Sequence, residues 1–575
     1  MATAYAPFLD AAAVPSGTSD GEATRIVQRR SQLLGQRQLY DTVNQDIVDL
    51  MMPGAPDITR FRSPGAPRTD RLFDTTAILA LQTLAANMMG GLTNQAITWQ
   101  SLTFRDALLK DNQAVSTWLA DVDQIMMAAY AASNFYQAAH SFYLTLAAFG
   151  TAAMYVGSME GLGHGGHAEL FLTFRTLSAG QYVIAENQYG KVDTLFRDLT
   201  LTPRQARQQF GEVAISPQLR EQARNPMQMD QPKRFVHAVY PRADAVAGKL
   251  GAQNMPYIER YLELDTQHVC ARGGYEEFPF LVARWETVGD GPWGFGPGQM
   301  ALPDVRTLNM LRELMLLQLQ LWVQPPLTML EEGVIGSISL ESLAVNVITK
   351  DNALKTMDLT GRPDLVRIEE ETLRKSIRDL FFADVLTGLP PVEATQMTAF
   401  EVAQRLQIMQ QLMGPAMMRL LSEFLGPLAD RVFGLLWRAD ILPPVPREVV
   451  HAAQRNQGQL DIEHEGPMAR AQRGSNVKAV AETLTMAGQM VGLTQDAAVL
   501  DNLDLDAMLR VVADANGTPR KLLRDTVQVD MIRRERQAQQ QQMAQAAAQA
   551  QQAESLGAAA PMVKAFTDAG QMAAA

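Results

Sequence analysis

The longest helical pattern in the chain sets the terms for what it can fold into. Val402, Leu406, Met409, Met413, Met417, Leu420, Phe424 and Leu428 step by four, three, four, four, three, four and four residues, which lays them along one face of a helix. Gly414-Pro415 and Gly426-Pro427 interrupt the stripe. Each proline removes a backbone donor, so kinks are expected rather than a straight rod. So long an apolar stripe must be covered, by the rest of the chain or by other subunits.

Around it the chain changes character several times. At 575 residues it exceeds the size at which one core keeps growing, so about three to four packed regions are expected. Hydrophobic residues make up 47% and charged residues 19%, which favours folding over disorder. Residues 1–24, rich in Ala, Ser, Gly and Thr, read as a mobile arm. Ile26, Leu33, Leu34, Val43, Ile47 and Leu50 predict a helix from Arg25 to about Leu50. The proline-rich stretch 52–67 is a loop. Further helices are predicted over Thr75–Met89, stopped by Gly90-Gly91, and over Asn112–Ala132 and Asn134–Phe149.

Strands are predicted where β-branched and aromatic residues gather between turn residues: Ala152–Tyr155, Glu169–Arg175, Gln181–Glu186, Val192–Leu199, Phe235–Tyr240, Tyr257–Asp265 and Gly274–Trp285. Thr202-Pro203 opens a short helix to Phe210 among them. The first 300 residues thus read as helices followed by a small sheet, and the chain as mainly helical α+β.

Between Gly289 and Leu386 the pattern is that of a hairpin-shaped excursion. The loop GDGPWGFGPG at 289–298 precedes a helix expected to start at Pro303 and to stop before Pro325-Pro326, with apolar residues crowding Leu308 to Val323. A helix of about 21 residues spans roughly 31 Å. Short strand-like pieces, Val334-Ile335 and Val345–Ile348, lie among Gly333, Gly336 and Gly361, and a second long helix is expected from about Asp364 to Leu386. Beyond Leu442-Pro443-Pro444, helices are expected at Gly466–Val491, Gln495–Val499, Asp504–Ala515 and Lys521–Glu535. The Gln/Ala run 537–552 either favours helix weakly or stays mobile. The 30 methionines suit adaptable subunit interfaces and irregular cores equally.

Chemistry finds few anchors. A net charge of −12 argues against a nucleic-acid coat, which needs many Lys and Arg on phosphates; it suits a passage through which DNA must slide, as it suits most soluble proteins. Cys270 is the sole cysteine, so neither a disulfide within the chain nor a thiolate zinc site is expected. Residues Met1–Asp20 lack a signal-peptide pattern. Leu308–Val323 is interrupted by Arg312 and Glu313 and falls short of the ~20 residues of a membrane span. A reducing cytoplasm and no membrane insertion are expected.

The glycine-rich runs 161–166 and 289–298 are not followed by the Lys-Ser/Thr of a triphosphate-binding loop. His164 and His167 have no third ligand nearby in sequence, and no nucleophile elbow is present. No catalytic residue, cofactor or metal site is predicted. The run Asp501–Asp506 lacks the Gly and Glu of a calcium loop and reads as a helix start. Arg533, Arg534 and Arg536 form either a solvated turn at a helix end or a basic collar near nucleic acid.

Several short motifs follow one another in a fixed order: GPG at 296–298, ALPDVRTLN at 301–309, QPPL at 324–327, FFADVL at 381–386, QMTAFEVAQR at 396–405, LMGPAMMRLLSEFLGPLADRVF at 412–433, LPPVP at 442–446 and EHEGPMARAQR at 463–473. Each is weak alone, but in this order and spacing they resemble the portal (head-to-tail connector) proteins of T7-like short-tailed DNA bacteriophages. RRSQLLGQRQLYDTVNQDIVDLMMP at 29–53 extends the likeness more loosely, to residues 25–535 in all. Phe400 stands where the family pattern has a second Thr.

The resemblance implies a portal-type subunit assembling into a ring, usually of twelve copies, at one capsid vertex. It implies an N-terminal arm (1–24), a wing (25–300), a first stem helix (301–326), a clip (327–363), a second stem helix (364–386), a channel loop (387–396), a long kinked wing helix (397–438), a crown (439–520) and a C-terminal barrel helix with the Gln/Ala-rich tail (521–575). Double-stranded DNA would pass through without specific binding during packaging and ejection. Implied partners are the terminase large subunit, a tail adaptor or tail tube protein, scaffold and major capsid proteins, and internal core proteins, met in the virion after assembly in the host cytoplasm. The mechanism is passive, since the terminase hydrolyses ATP. Leu389, Pro390, Pro391 and Glu393 are candidates for the channel loop, the prolines stiffening it and the carboxylate repelling phosphates. Lys350, Lys355 and Arg362 are candidates for docking through the clip, or plain surface charge; Arg533, Arg534 and Arg536 are candidates for DNA contact in the barrel. Two other readings are a packaging ATPase, opposed by the missing triphosphate loop, and an internal core or scaffold protein, opposed by the sheet region.

Overall fold

A computed structural model of the chain describes residues 20–60, 62, 69, 71–104, 106, 109, 112–162, 168–243, 254–287, 289, 291–324, 327–329, 334–335, 347–348, 354–356, 363–383, 413–455, 462–465, 479–490, 503–515, 524 and 528–546. The channel loop 387–396, the helix start at 397–412, the helices at 466–478 and 495–499 and the residues His164 and His167 lie outside them. The chain forms two compact units. One takes in residues up to 105, 121–445 and 461–476; the other takes in 106–120, 446–460 and everything from 477.

The first unit is built on two antiparallel sheets where the sequence suggests one. Strands β2 (Thr151–Leu162), β3 (Ala168–Leu177) and β9 (Phe280–Arg284) form a three-stranded sheet in the order β3-β2-β9. Strands β4 (Tyr182–Glu186), β5 (Val192–Leu201), β6 (Lys233–Pro241), β7 (Tyr257–Glu263) and β8 (His268–Tyr275) form a five-stranded meander. Alternation along these strands sends successive side chains to opposite faces. One face, with Val183, Phe196, Val236, Ala238 and Leu262, packs on the helix α1 (Asp20–Met51). The other, with Tyr182, Leu195, Val239 and Tyr275, packs on Ala153, Phe280 and Val282 of the three-stranded sheet.

Helix α1 starts earlier than the expected arm allows. Ala23 and Ile26 are buried against the meander, and Glu22 accepts from Arg260 at 2.7 Å. Tertiary contacts thus recruit residues whose composition alone reads as coil. Helix α2 (Thr76–Leu92) runs through Gly90-Gly91, which take no left-handed conformation, and buries Gly91 and Leu92 before stopping. Helices α3 (Gln113–Ala132) and α4 (Phe135–Phe149) follow, and α3 crosses the boundary between the units. Trp99, Tyr130, Phe135 and Phe174 cluster with tilted and edge-on rings where α3, α4 and β3 meet.

Helix α5 (Pro203–Phe210) begins as its sequence requires: Thr202 accepts from the Gln205 amide at 3.3 Å while the Gln205 side chain accepts from the Thr202 amide at 2.9 Å. Helix α6 (Pro217–Arg224) is capped by Ser216, whose hydroxyl accepts from the Leu219 amide at 3.2 Å, and the pair covers Phe235 and Cys270. Strand β1 (Ser101–Phe104) pairs antiparallel with β16 (Ile462–Glu465), from Ser101↔Glu465 to Phe104↔Ile462. The EHE of the C-terminal motif is therefore an edge partner for a strand near residue 100.

In the second unit, helices α10 (Arg447–Arg455), α11 (479–490), α12 (Leu505–Ala515) and α13 (528–546) are described. Asp504 caps α12 by accepting from the amides of Asp506 (3.1 Å) and Ala507 (2.9 Å), so the acidic run is a helix start. Helix α13 continues to 546, which makes the first part of the Gln/Ala run helical.

Candidate assembly surface

The excursion between the sheets and the chain's second half begins at a close backbone joint. Gly150 ends α4 with φ of +69°, its amide bonded to Leu146 O at 2.8 Å. The strands β10 (Glu286–Thr287) and β11 (Gly294–Phe295) form a small hairpin, and Gly294, Gly296 and Gly298 lie flat on this helix end. A Cβ at Gly296 would stand 2.7 Å from the Gly150 Cα, and Cβ atoms at Gly294 and Gly298 would overlap the carbonyl oxygens of Gly150 and Ala148. The glycine-rich loop is thus a packing joint.

Helix α7 (Pro297–Val323) grows from that joint. It starts at Pro297 rather than Pro303, because the Gln299 side chain accepts from the Gly296 amide at 2.9 Å and closes the first turn there. Pro303 falls inside the helix. Helix α8 (Pro363–Leu380) runs beside it and stops six residues short of the expected Leu386: Phe381 is buried and Phe382 takes φ of +54°, which a helix cannot continue through. Between them lie two antiparallel pairs, β12 (Leu327–Met329) with β15 (Leu354–Thr356) and, nested within, β13 (Val334–Ile335) with β14 (Val347–Ile348).

The base of the helix pair is clamped. Ala301, Leu302, Val305 and Leu308 are buried. The Asn309 side chain accepts from the Phe73 amide at 2.8 Å and donates to Arg71 O at 2.7 Å. Ser376 donates to Asp304 at 2.6 Å. Arg374 reaches Asp74 at 2.9 Å and Glu370 at 3.4 Å, and Arg312 reaches Glu370 at 3.5 Å. Burial alone would raise the pKa of Asp74, but hydrogen bonds from Thr76 and the Arg374 guanidinium outweigh it and hold the carboxyl below its ordinary range. Arg306 adds an ion pair to Asp46 of α1.

Above the clamp the character of α7 reverses. No residue after Leu308 is buried. Met310, Leu314, Leu316, Leu317, Leu319, Leu321 and Val323 face solvent, with Leu314 50%, Leu317 51% and Val323 80% exposed. On α8, Ile368 is exposed too. Fully burying one leucine is worth about 1.5–3 kcal/mol, so a run of half-exposed leucines forgoes several. A helix that is apolar on all sides is one that another surface covers. No helix among the described residues is long and apolar enough to cross a membrane.

The opening stripe behaves in the opposite way. Residues 413–438 form one helix, α9, in which Leu421–Leu425 make a π turn before Gly426–Arg438. The Gly426 amide bonds to Leu421 O, five residues back. Pro427 has no amide to give, and the wider turn marks the irregularity in the bonding ladder at this point. Met413, Met417, Leu420, Phe424 and Leu428 are all buried in their own chain, Phe424 stacking on Phe142 at 4.2 Å. Glu423 accepts from Arg284, which also reaches Glu186 at 2.8 Å. Glu277 holds both Arg431 (2.8 Å) and Arg438 (2.6 Å).

Of the residues singled out from the sequence, only Lys355, Arg533, Arg534 and Arg536 lie among the described residues. Leu389, Pro390, Pro391, Glu393, Lys350 and Arg362 lie outside the described residues. Lys355 sits in β15 opposite Thr328. Arg533, Arg534 and Arg536 are exposed in the body of α13 rather than at a helix end, because the helix runs on past Glu535, and Arg533 pairs with Asp506. Sequence reasoning passed over Asp74, Glu370 and Arg374; Asp304, Arg306 and Asn309 lay in a flagged motif, ALPDVRTLN.

The sequence profile of the family described as bacteriophage head to tail connecting protein matches residues 23–523. The chain belongs to that family. It is 31% identical over 534 residues to the probable portal protein of Bordetella phage BPP-1, covering 90% of this chain and 92% of that protein. It is 28% identical over 533 residues to the portal protein of Salmonella phage epsilon15, covering 91% and 92%. Among solved structures it is similar to a chain in the neck of a native gene transfer agent particle, with 11% identity, 71% of this chain and 86% of that chain covered, and a TM-score of 0.31; so low a score bears on neither fold nor assembly. As a member of the connector family, the chain is a structural protein of the virion, placed where head and tail of a phage join.

Proposed function

We propose that this chain is a portal subunit: copies of it close into a ring, of about twelve on the family's pattern, at one capsid vertex, and double-stranded DNA passes through the ring during packaging and ejection. The observation that carries the reading is the bare apolar half of α7, clamped at one end and uncovered beyond Leu308. In a ring, the α7–α8 pair of one copy lies against the pair of the next, and each copy covers its neighbour's leucines. The pair is then the stem, the hairpin 327–356 the clip that docks terminase and later the tail adaptor, and residues 387–396 a loop facing the DNA. No step of the chain's own chemistry is required, because the motor lies elsewhere.

The test is negative-stain microscopy together with sedimentation of the purified chain. Closed rings with a central hole, disassembled by charge placed at Leu314 and Leu317, are expected. Monomers or open filaments at every salt and protein concentration would sink the proposal.

A further inference from the structure

The α7–α8 pair carries unmatched groups on two opposite faces. Asp304 and Arg312 of α7 reach Ser376 and Glu370 of α8, which marks the face that each helix turns to the other. On the far side of α7, Arg306, Met310, Glu313, Leu317 and Leu321 recur at steps of four, three, four and four, and all are exposed. On the far side of α8, Ile368, Thr372, Lys375 and Asp379 recur at four, three and four and are exposed as well. Such spacing lays each set along one stripe of its helix. Glu313, Lys375 and Asp379 make no ion pair among the described residues.

Each stripe has what the other lacks. Because they lie on opposite faces of the pair, one copy offers the α7 stripe where the next offers the α8 stripe, a head-to-tail contact of the kind that closes rings. Charge then selects the register. Within one copy the helices run antiparallel, with Asp304 level with Ser376 and Arg312 with Glu370. The same levels between copies would set Arg306 against Lys375 and Glu313 against Ile368, like charge on like and a carboxylate on an apolar side chain. A shift of one helical turn, roughly 5.4 Å, instead sets Arg306 against Asp379, Leu317 against Ile368 and Glu313 within reach of Lys375. The opposite shift carries Leu317 past the start of α8 at Pro363.

We propose, resting on the ring reading above, that the α7 stripe of one copy packs on the α8 stripe of the next, one turn out of step with the contact inside each copy. Leu317 then lies on the next copy's Ile368, Arg306 pairs with its Asp379 and Glu313 with its Lys375. Arg306 also holds Asp46 of its own α1, and a guanidinium has donors enough for two carboxylates. The apolar residues supply the adhesion. The alternating charges fix the register and reject the two neighbouring ones.

The test uses the full chain, whose one native cysteine, Cys270, is buried. Leu317→Cys combined with Ile368→Cys should, on oxidation of the assembled protein, give a ladder of covalent multimers in a denaturing gel, while each single variant stays monomeric. Met310→Cys combined with Ile368→Cys is out of step by about two turns. It should cross-link at least about tenfold less, since a disulfide tolerates little change in Cα separation. Glu313→Lys and Lys375→Glu should each raise the concentration needed for assembly by about threefold, the scale of one half-exposed ion pair, and the two together should restore it. Rings seen by microscopy without a ladder from the first cysteine pair, an equal ladder from the second, or no restoration by the double charge exchange would each overturn the proposal and leave the ring reading standing. A parent chain that never closes into rings would remove both.

Discussion

Helices α7 and α9 carry the two most apolar stretches of the excursion and its flank, and their fates differ. On α9 every described member of the stripe is buried in its own subunit, and its charges are matched by Arg284 and Glu277. On α7 the apolar residues beyond Leu308 stand in solvent. Similar composition therefore supports two kinds of stability: one completed within the chain, the other, on the proposed reading, deferred to assembly. Substitutions in the two helices separate them, because only the first kind shows in the unfolding of a lone subunit.

The largest effect on the subunit is expected from Phe424→Ala. It removes a ring stacked on Phe142 in a closed core and should cost about 3–5 kcal/mol in denaturant unfolding. A loss below about 1 kcal/mol would mean that α9 is held loosely, and the contrast with α7 would fail. Next comes Gly296→Ala, whose methyl meets backbone rather than a yielding side chain. A destabilisation of about 3 kcal/mol is expected, with both the α4 end and the start of α7 losing protection in hydrogen exchange.

A smaller, pH-dependent effect is expected at Glu277. Its burial raises the pKa, but hydrogen bonds and charge from Arg438 and Arg431 outweigh that and leave it lowered. A carboxyl depressed in the folded state contributes stability above its ordinary pKa and loses it as pH falls through the folded value. Glu277→Gln should therefore cost about 2 kcal/mol at neutral pH and little in strong acid. Equal losses at both ends of a pH series would show that the carboxylate acts by shape alone.

What could be read in the sequence follows the range of the interactions. The start of α5 rests on adjacent residues, Thr202 as cap and Pro203 in the first turn, and was legible, though the return bond from Gln205 was not read; so was the acidic start of α12. The sequence reading puts the start of α7 at Pro303, although Pro297 carries the same local signal, and a side chain, Gln299, decides for Pro297. The pairing of β1 with β16 joins four residues near 100 to four near 460, with no local pattern to announce it. The clamp of Arg374 on Asp74 spans a separation of 300 residues. The leucines of α7 were visible as an apolar run, but whether such a run is core or surface depends on neighbours that only the fold supplies.

The smallest effect on the lone subunit, and the sharpest on the comparison, belongs to Leu314→Asp combined with Leu317→Asp. Both side chains are about half exposed and lie beyond the clamp. Surface changes of this kind shift subunit stability by about 0.5 kcal/mol or less, so the unfolding curve of the isolated chain should hardly move. In an assembled ring the same carboxylates would be stripped of water against a neighbour's leucines, a cost of several kcal/mol for each buried charge, repeated at every subunit boundary. Sedimentation should then show monomer at concentrations where the parent chain is fully assembled. If the double variant assembles normally, the exposed half of α7 is no interface, and its leucines need another cover; if it unfolds with the subunit, α7 belongs with α9 after all.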